Sequence, residues 1–340
     1  RTYELFITTT ANTLDTIPRP LLDRMDVIEL SSYTRVEKFN IAKKHLLPKQ
    51  LALTGLKGRV KINNAALNGI IDGYTQEAGV RGLERTLNEL LRKCAKRIAA
   101  GEEEEISIGA QNLEELLGPK RIKPSFCSRT DSVGVANGLA WTSVGGEILP
   151  IEVQIIPKGS GKLELTGSLG EVMKESAHLA ITYAKVHAAE YGYDASVFKD
   201  IDIHIHAPEG AIQKDGPSAG VTLTTALVSA LSNRPARADV AMTGEITLHG
   251  QVLPIGGLKE KSMAAYCEGK KLVLIPKDNA PDLYEVDDAV KEALTFQPVS
   301  TLSEVLRIVL LPPKKNASKR REAIPVPAPE KQAAGLSLPQ

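Results

Sequence analysis

The sequence is poor in cysteine and in aromatic residues, has almost no net charge and contains no long hydrophobic run. Its 340 residues include three cysteines, 4% aromatic side chains and a formal net charge of +1. Three scattered cysteines give neither a disulfide framework nor a cysteine zinc site, which fits a reducing compartment. The balanced charge provides no global attraction to nucleic acid or to membranes, and no segment reaches the roughly 20 apolar residues of a transmembrane helix. We therefore expect a cytoplasmic protein with no membrane partner.

The chain lacks a secretory signal and begins at Arg1 rather than at methionine, so we expect a fragment of a longer protein. Its length suggests two or three domains. Within residues 1–31, the segments "ELFITTTAN" and "DVIEL" predict strands, and the prolines of "IPRPLLDRM" between them suit the start of a short helix. Residues 32–118 predict a small all-α domain, because apolar residues recur there at helical spacing. The clearest apolar stripe comprises Leu83, Leu87, Leu90, Leu91 and Cys94.

Residues 119–312 predict a mixed α/β domain, so the fold class of the whole chain is α+β. Segments rich in β-forming residues alternate there with helical patterns, and residues 240–253 predict a β-hairpin. Residues 313–340 are rich in proline, alanine and charge and have little to bury, so we expect a disordered tail. The basic cluster in this tail is compatible with weak DNA binding, although a solubilising role is the favoured interpretation.

The segment "KDGPSAG", residues 214–220, joins a strand pattern to a helical pattern. Pro217 suits the first position of a helix, since proline has no N–H group to leave unpaired. Ser218 then falls in the first turn, where free backbone N–H groups and the helix dipole stabilise negative charge. Ser218 is therefore a candidate nucleophile, and a helix-capping serine is the simpler alternative. The local pattern leaves both interpretations open.

A nucleophilic serine needs a base, and the sequence offers two sources. His204 and His206 alternate with isoleucines on a predicted strand, but no orienting carboxylate or third metal ligand accompanies them at a recognisable spacing. Lys261 shares the apolar face of a predicted helix with Leu258 and Ala265, and burial would lower its pKa toward neutrality. The alternative for Lys261 is a side chain that lies along the apolar face and reaches solvent.

Other glycine-rich or serine motifs do not fit the junction. It lacks the lysine and serine or threonine that end a Walker A loop, and no G-x-G-x-x-G segment follows a strand. Val221 stands where the S-x-x-K motif of penicillin-recognising enzymes has its lysine. A serine and a lysine that are distant in sequence remain compatible with the pattern.

Four longer segments together resemble the Lon protease family of ATP-dependent AAA+ serine proteases. They are "GLAWTSVGGEILPIE", "LTGSLGEVMKESA", "PEGAIQKDGPSAG" and "MTGEITLHGQVLPIGGLKEKSMAA". The resemblance covers nearly all of residues 3–311 and implies a Lon-type proteolytic domain with the ribosomal protein S5 domain 2-like fold. It implies a dyad in which Ser218 is the nucleophile and Lys261 the general base, with no metal. Asp215 and Thr243 would help to orient the lysine.

The same resemblance makes residues 1–31 the end of an AAA+ α/β subdomain and residues 32–118 its helical lid. Asn12 then matches the residue that senses the nucleotide phosphate, Arg24 the arginine finger and Arg81 the second sensor arginine. His249 stands where the family often carries arginine, and the sequence after Pro276 diverges from the family. Neither departure touches the implied dyad.

The resemblance also implies cofactors and partners. The full-length protein would use ATP and Mg²⁺, form a hexameric ring and degrade misfolded and short-lived regulatory proteins in the bacterial cytoplasm rather than the mitochondrial matrix. The printed sequence contains neither a Walker A nor a Walker B motif. We therefore expect that this chain alone does not hydrolyse ATP and that its peptide-bond chemistry requires no cofactor.

Two other classes of protein remain as alternatives. Some DNA-handling ATPases contain a catalytically silent Lon-like domain that serves as a scaffold, and such a domain is expected to lack one or both dyad residues. A plain AAA+ remodelling subunit is the second alternative, but it conflicts with the missing phosphate loop and the large α/β domain.

Overall fold

The computed structural model describes residues 8–11, 17–28, 33–122, 127–142, 145–208 and 214–313. Contacts between Cα atoms divide the chain into two compact units, residues 1–122 and 123–340. Asn12 and nearly all of the predicted tail lie outside the described residues. Within the described ranges, no helix combines the length and the apolar character needed to cross a lipid bilayer.

Helices dominate the first unit. They are α1 (Arg19–Leu22), α2 (Arg35–Ile41), α3 (Leu47–Leu53), α4 (Asn64–Tyr74), α5 (Arg81–Ala99) and α6 (Leu113–Leu117), with a π-helical turn, Ala42–Leu46, between α2 and α3. Thr34 begins α2 with a capping box, because its hydroxyl accepts the Glu37 N–H while the Glu37 carboxylate accepts the Thr34 N–H. Two short strands, β1 (Val60–Ile62) and β2 (Ile106–Ile108), pair in parallel and add a small sheet to this unit.

The predicted apolar stripe of α5 forms the centre of the first unit. Leu83, Leu87, Leu90, Leu91 and Cys94 are all fully buried, which confirms the helical pattern. They pack in one cluster with Leu67 and Ile70 of α4. Burial of each leucine stabilises the unit by about 2 kcal/mol. The stability of this core therefore comes from packing of the apolar stripe rather than from helix propensity.

A seven-stranded mixed sheet organises the second unit. Its strands are β3 (Val135–Thr142), β4 (Gly145–Pro157), β5 (Leu163–Thr166), β6 (Ile201–His206), β7 (Val240–Met242), β10 (Leu272–Pro276) and β11 (Thr295–Val299), in the order β11-β10-β7-β3-β4-β6-β5. Strand β4 is antiparallel to its neighbours β3 and β6, and the remaining pairs are parallel. A separate antiparallel pair is formed by β8 (Glu245–Ile246) and β9 (Val252–Leu253). The helices are α7 (Glu171–Val186), α8 (Gly220–Ser232), α9 (Leu258–Cys267), α10 (Asp288–Ala293) and α11 (Leu302–Val309). This mixture of helices and mixed sheet confirms the α+β class.

The prediction of one hairpin over residues 240–253 is wrong in part. Residues Val240–Met242 form β7, which pairs with β3 and β10 inside the large sheet. Only β8 and β9 form the hairpin. The local pattern of β-forming residues and glycine turns cannot distinguish a strand that pairs with its sequence neighbour from one that pairs with distant strands.

Helix α8 lies at the centre of the second unit's larger core. All of its residues from Gly220 to Ser229 are buried, including the face opposite the predicted apolar stripe. It packs with α7, α11 and the buried side chains of β6, where Ile201, Ile203 and Ile205 alternate with half-exposed polar residues. Because α8 is enclosed on all sides, its first turn is held in place by the surrounding core.

Candidate active site

Ser218 lies in a short turn that leads directly into α8. Gly216 has a φ of +133°, Pro217–Ala219 form one turn of 3₁₀-helix, and the α-helix begins at Gly220. The sequence predicted an α-helix from Pro217, so the helix begins three residues later than expected. The Ser218 carbonyl accepts the Gly244 N–H at 2.9 Å, and this bond with a distant segment holds the turn.

Two glycines allow the segment around Gly244 to approach the start of α8. A Cβ atom on Gly220 would lie 2.9 Å from Ile246 Cγ1, and a Cβ atom on Gly244 would lie 2.7 Å from Val221 Cγ2. Both distances are too short for a real side chain. Gly220 thus has a packing role that the sequence did not reveal, whereas Gly216 is required for its positive φ.

Asp215 connects the serine turn to α7. Its Oδ1 accepts the Gly216 N–H at 3.0 Å and the Met173 N–H at 3.3 Å, in the first turn of α7. The Cα of Gly170 approaches so closely that a Cβ atom there would lie 2.2 Å from the Asp215 carboxyl carbon. Among the described residues, the contacts of this carboxylate run to α7 and the turn rather than to Lys261. The geometry thus gives Asp215 the role of a helix cap supplied from a distant segment.

Thr243 lies behind the serine turn. It is fully buried, and its hydroxyl lies 3.5 Å from the Ser218 carbonyl oxygen, which is the long limit of a hydrogen bond. Its backbone N–H donates to the carbonyl of Leu274 in β10. Thr243 therefore stands between the central sheet and the backbone of Ser218.

Lys261 is buried on α9, as its position on the apolar face predicted. It is 3% exposed, and Leu258, Ala264 and Ala265 beside it are also buried. Burial lowers the pKa of Lys261 from its ordinary value of 10.5 to about 8, and the neighbouring Glu260 opposes this shift. A substantial fraction of the Lys261 amine is therefore neutral at mildly alkaline pH.

Close backbone packing fixes α9 against β4. A Cβ atom on Gly146 would lie 2.0 Å from the Glu260 carbonyl oxygen, directly before Lys261. At the start of the helix, Gly257 has a φ of +70°, and the ring of Trp141 packs against its Cα. Strand β3 contacts both α9 and the Ser218 turn. The helix that carries Lys261 and the turn that carries Ser218 therefore both pack against β3.

The two strand histidines share Thr166 of β5 as a partner. The Thr166 hydroxyl lies 2.9 Å from His204 Nε2 and 2.7 Å from His206 Nδ1, and Glu164 lies 3.8 Å from His204 Nδ1. In the parts of the chain that the structure describes, no group of three or more histidine, cysteine, aspartate or glutamate side chains has the arrangement of a metal site. Both histidines are bonded through Thr166, whereas Lys261 is the buried candidate base.

The residues matched to nucleotide sensing belong to the first unit. Arg24 is exposed just after α1, and Arg81 is exposed at the first position of α5. Asn12 lies outside the described residues. Exposure leaves both arginines open to a phosphate group.

The second unit carries a serine at the start of a buried helix and a buried lysine of lowered pKa. These two residues define a candidate acyl-transfer site of the serine hydrolase class. Comparison with protein families identifies the scaffold further. Residues 107–312 match the Lon protease (S16) C-terminal proteolytic domain, and residues 53–106 match the Lon protease AAA+ ATPase lid domain. The chain belongs to the Lon protease family.

Individual relatives agree with the family assignment. The chain is 52% identical to the Lon protease of Brevibacillus choshinensis over 313 residues, 91% of this chain and 40% of that protein. It is 51% identical to Lon protease 1 of Thermus thermophilus over 307 residues, 90% of this chain and 38% of that protein. Identity to the Lon protease of Escherichia coli K12 is 50% over 309 residues, 90% of this chain and 39% of that protein. The chain spans about two fifths of the length of these relatives.

Proposed function

We propose that this chain is the proteolytic part of an ATP-dependent serine endopeptidase and that Ser218 and Lys261 are its catalytic dyad. The observation that carries the proposal is the buried Lys261, with a pKa lowered to about 8, in a Lon-family proteolytic domain. A general base works best when its pKa lies near the operating pH. The half-buried Ser218 remains open to a substrate while the base is shielded from water.

The chemistry is acyl transfer at a peptide bond. Neutral Lys261 removes the hydroxyl proton of Ser218, and the oxygen attacks the substrate carbonyl carbon. Backbone N–H groups in the serine turn before α8 stabilise the oxyanion of the tetrahedral intermediate, because the Gly220 and Val221 N–H groups already donate to the carbonyls of Pro217 and Gly244. The Lys261 ammonium then gives its proton to the leaving amine, and water hydrolyses the acyl-enzyme by the same route.

Asp215 and Thr243 act as positioning residues in this proposal. The cap that Asp215 provides to α7 and its bond to the Gly216 N–H support a role in fixing the serine turn. The contact of Thr243 with the Ser218 carbonyl supports the same role from the opposite side. The role in orienting Lys261, implied by the family resemblance, would act through the position of this turn.

ATP and Mg²⁺ belong to the proposed full-length protein. Asn12, Arg24 and Arg81 would sense or contact the nucleotide, and the exposure of the two arginines is compatible with contact to a phosphate. When bound, ATP would supply the energy for unfolding and moving a substrate. The peptide-bond chemistry derived above uses only this chain's own residues.

The proposed substrates are misfolded proteins and short-lived regulatory proteins, and the proposed setting is the bacterial cytoplasm. We further propose assembly into a hexameric ring, which would hide Ser218 from folded proteins, and weak DNA binding by the basic cluster of the tail. Sedimentation of the chain tests the hexameric ring. A salt-dependent mobility shift of labelled DNA tests the weak DNA binding.

The dyad is tested with an unstructured protein substrate and a serine-directed acylating reagent. The 340-residue chain should cleave the substrate and carry the acyl group on Ser218. Ser218→Ala should lose both signals, Lys261→Met should lose cleavage, and Lys259→Met on the same helix should keep both. Cleavage that survives Ser218→Ala overturns the dyad. A folded hexamer that neither cleaves nor reacts would support the silent-scaffold alternative.

A further inference from the structure

A buried polar cluster at the end of α9 takes no part in the proposed peptidase chemistry. It consists of Cys127, which is 9% exposed, Lys270, which is 5% exposed, and Glu268. Cys127 precedes β3, whereas Glu268 and Lys270 lie in the turn between α9 and β10. A thiol and an amine that are far apart in sequence are thus brought together inside the second unit.

The nitrogen of Lys270 has a fixed orientation. Nζ donates hydrogen bonds to the carbonyl oxygens of Ser128 and Ala238, each at 3.0 Å. Ser128 directly follows Cys127 in the chain, so this nitrogen lies beside the segment that carries the thiol, and the Cys127 side chain helps to hold the pKa of Lys270 up. When the nitrogen is neutral, it keeps two N–H groups for the two carbonyls and has one lone pair.

The surroundings favour a reactive amine beside the thiol. Burial lowers the pKa of Lys270, an effect that the nearby Cys127 and Glu268 oppose. Cys127 Sγ donates to Glu268 Oε2 at 3.5 Å. Glu268 also lies 4.0 Å from the exposed guanidinium of Arg129. The cluster therefore combines a thiol, a carboxylate that accepts its proton and a buried amine.

We propose that Cys127 and Lys270 form an oxidation-dependent modification site that closes as a sulfur–nitrogen cross-link. Hydrogen peroxide is the oxidant. The sulfur attacks one peroxide oxygen, the O–O bond breaks, and the thiol proton passes by way of Glu268 to the departing hydroxide, which gives a sulfenic acid and water.

The Lys270 lone pair then attacks the sulfur of this sulfenic acid. The S–N bond forms, the S–O bond breaks, and the departing hydroxide takes a proton from nitrogen to give a second water. The product joins the entry to β3 with the end of α9. Two equivalents of an external thiol reverse the reaction and are oxidised to a disulfide, while cysteine and lysine are regenerated.

The test treats the folded 340-residue chain with hydrogen peroxide, blocks the remaining thiols by alkylation and maps the peptides by mass spectrometry. The expected product is a pair of peptides joined through Cys127 and Lys270, lighter by two hydrogen atoms than their sum and separated by dithiothreitol. Cys267, which is exposed on α9, provides an internal control for ordinary thiol oxidation.

Three variants sharpen the assignment. Lys270→Arg keeps a cation near the carbonyls but removes the nucleophilic amine, so the cross-link should disappear, as it should in Cys127→Ser. Lys271→Arg, at the exposed neighbouring position, should keep it. The proposal is overturned if the treated wild-type chain contains Cys127 only as a sulfenic or sulfinic acid, or as a disulfide with Cys267. A cross-link that persists in Lys270→Arg also overturns it, and the wild-type result decides even where a variant fails to fold.

Discussion

Replacing Lys261 by methionine should abolish peptidase activity and at the same time stabilise the second unit. Folding places the lysine in a site where its pKa falls from 10.5 to about 8. At roughly 1.4 kcal/mol for each tenfold change in proton affinity, burial of the charged form costs about 3 kcal/mol at pH 7. Methionine has a similar unbranched shape and no charge to desolvate. The variant should therefore be up to about 3 kcal/mol more stable at neutral pH.

The stability gained by Lys261→Met must decrease as the pH rises. Between pH 8 and 10.5 the unfolded chain holds a proton on Lys261 that the folded chain has released, so the stability of the wild type rises with pH in this window. Below pH 8 both states are protonated and the full cost is present. Above pH 10.5 both states are neutral, and the pH-dependent part of the difference disappears.

The chain's only tryptophan, Trp141, lies in the second unit and reports on that unit alone. Urea unfolding followed by Trp141 fluorescence at pH 7 and pH 10 measures the two free energies. With a urea slope of about 2–3 kcal/mol per molar, the expected gain moves the midpoint by about 1 M at pH 7. Lys259→Met on the same helix is the control and should show no pH-dependent gain. A Lys261→Met variant that is no more stable than the wild type at pH 7 would refute the assigned burial of a charged lysine.

Three further predictions follow from the same geometry. Cleavage of an unstructured substrate should rise with pH and level off above about pH 8, as the buried base loses its proton; a flat profile from pH 6 to 9 would contradict a lysine base. Asp215→Ala removes a cap from two backbone amides, so it should destabilise the second unit by about 1 kcal/mol and lower kcat more than the remote cap variant Asp194→Ala, measured by urea unfolding and steady-state kinetics. Gly146→Ala places a methyl group 2.0 Å from the Glu260 carbonyl oxygen and should displace α9 and lower activity at least tenfold, whereas Gly256→Ala, which meets nothing within 4 Å, should be tolerated; equal activities for these two variants would show that α9 does not need this contact.

The positions of the dyad candidates could be predicted from local patterns. The spacing of Leu258, Lys261 and Ala265 indicated an apolar helix face, and the structure buries all three. The change from a period of two to a helical period placed Ser218 at a strand-to-helix junction. In both cases the signal lies within about one helical turn of the residue, which is the range over which a sequence pattern determines which side chains share a face.

The features that local patterns missed depend on contacts between distant segments. The helix at the serine junction begins at Gly220 because the Ser218 carbonyl is bonded to Gly244, which lies beyond the end of α8. Strand β7 left the predicted hairpin because it pairs with β3 and β10. Gly146 and Gly257 lie at close approaches to Glu260 and Trp141, and no local pattern could show which segment would approach them.

Burial alone does not identify a catalytic lysine in this fold. Lys261 and Lys270 lie near opposite ends of α9, and burial lowers the pKa of both. They differ in what surrounds the nitrogen: two backbone carbonyls hold Lys270 beside a thiol, whereas Lys261 lies among apolar neighbours at Leu258 and Ala265. The carbonyls fix the position of the Lys270 amine, and we propose that the sulfur of Cys127 is the atom it attacks. The apolar neighbours of Lys261 suit the role proposed for its amine, which is to exchange a proton with a hydroxyl that approaches it. The chemistry of each lysine therefore follows from its neighbours, and the two should respond independently, Lys261 to pH and Lys270 to peroxide.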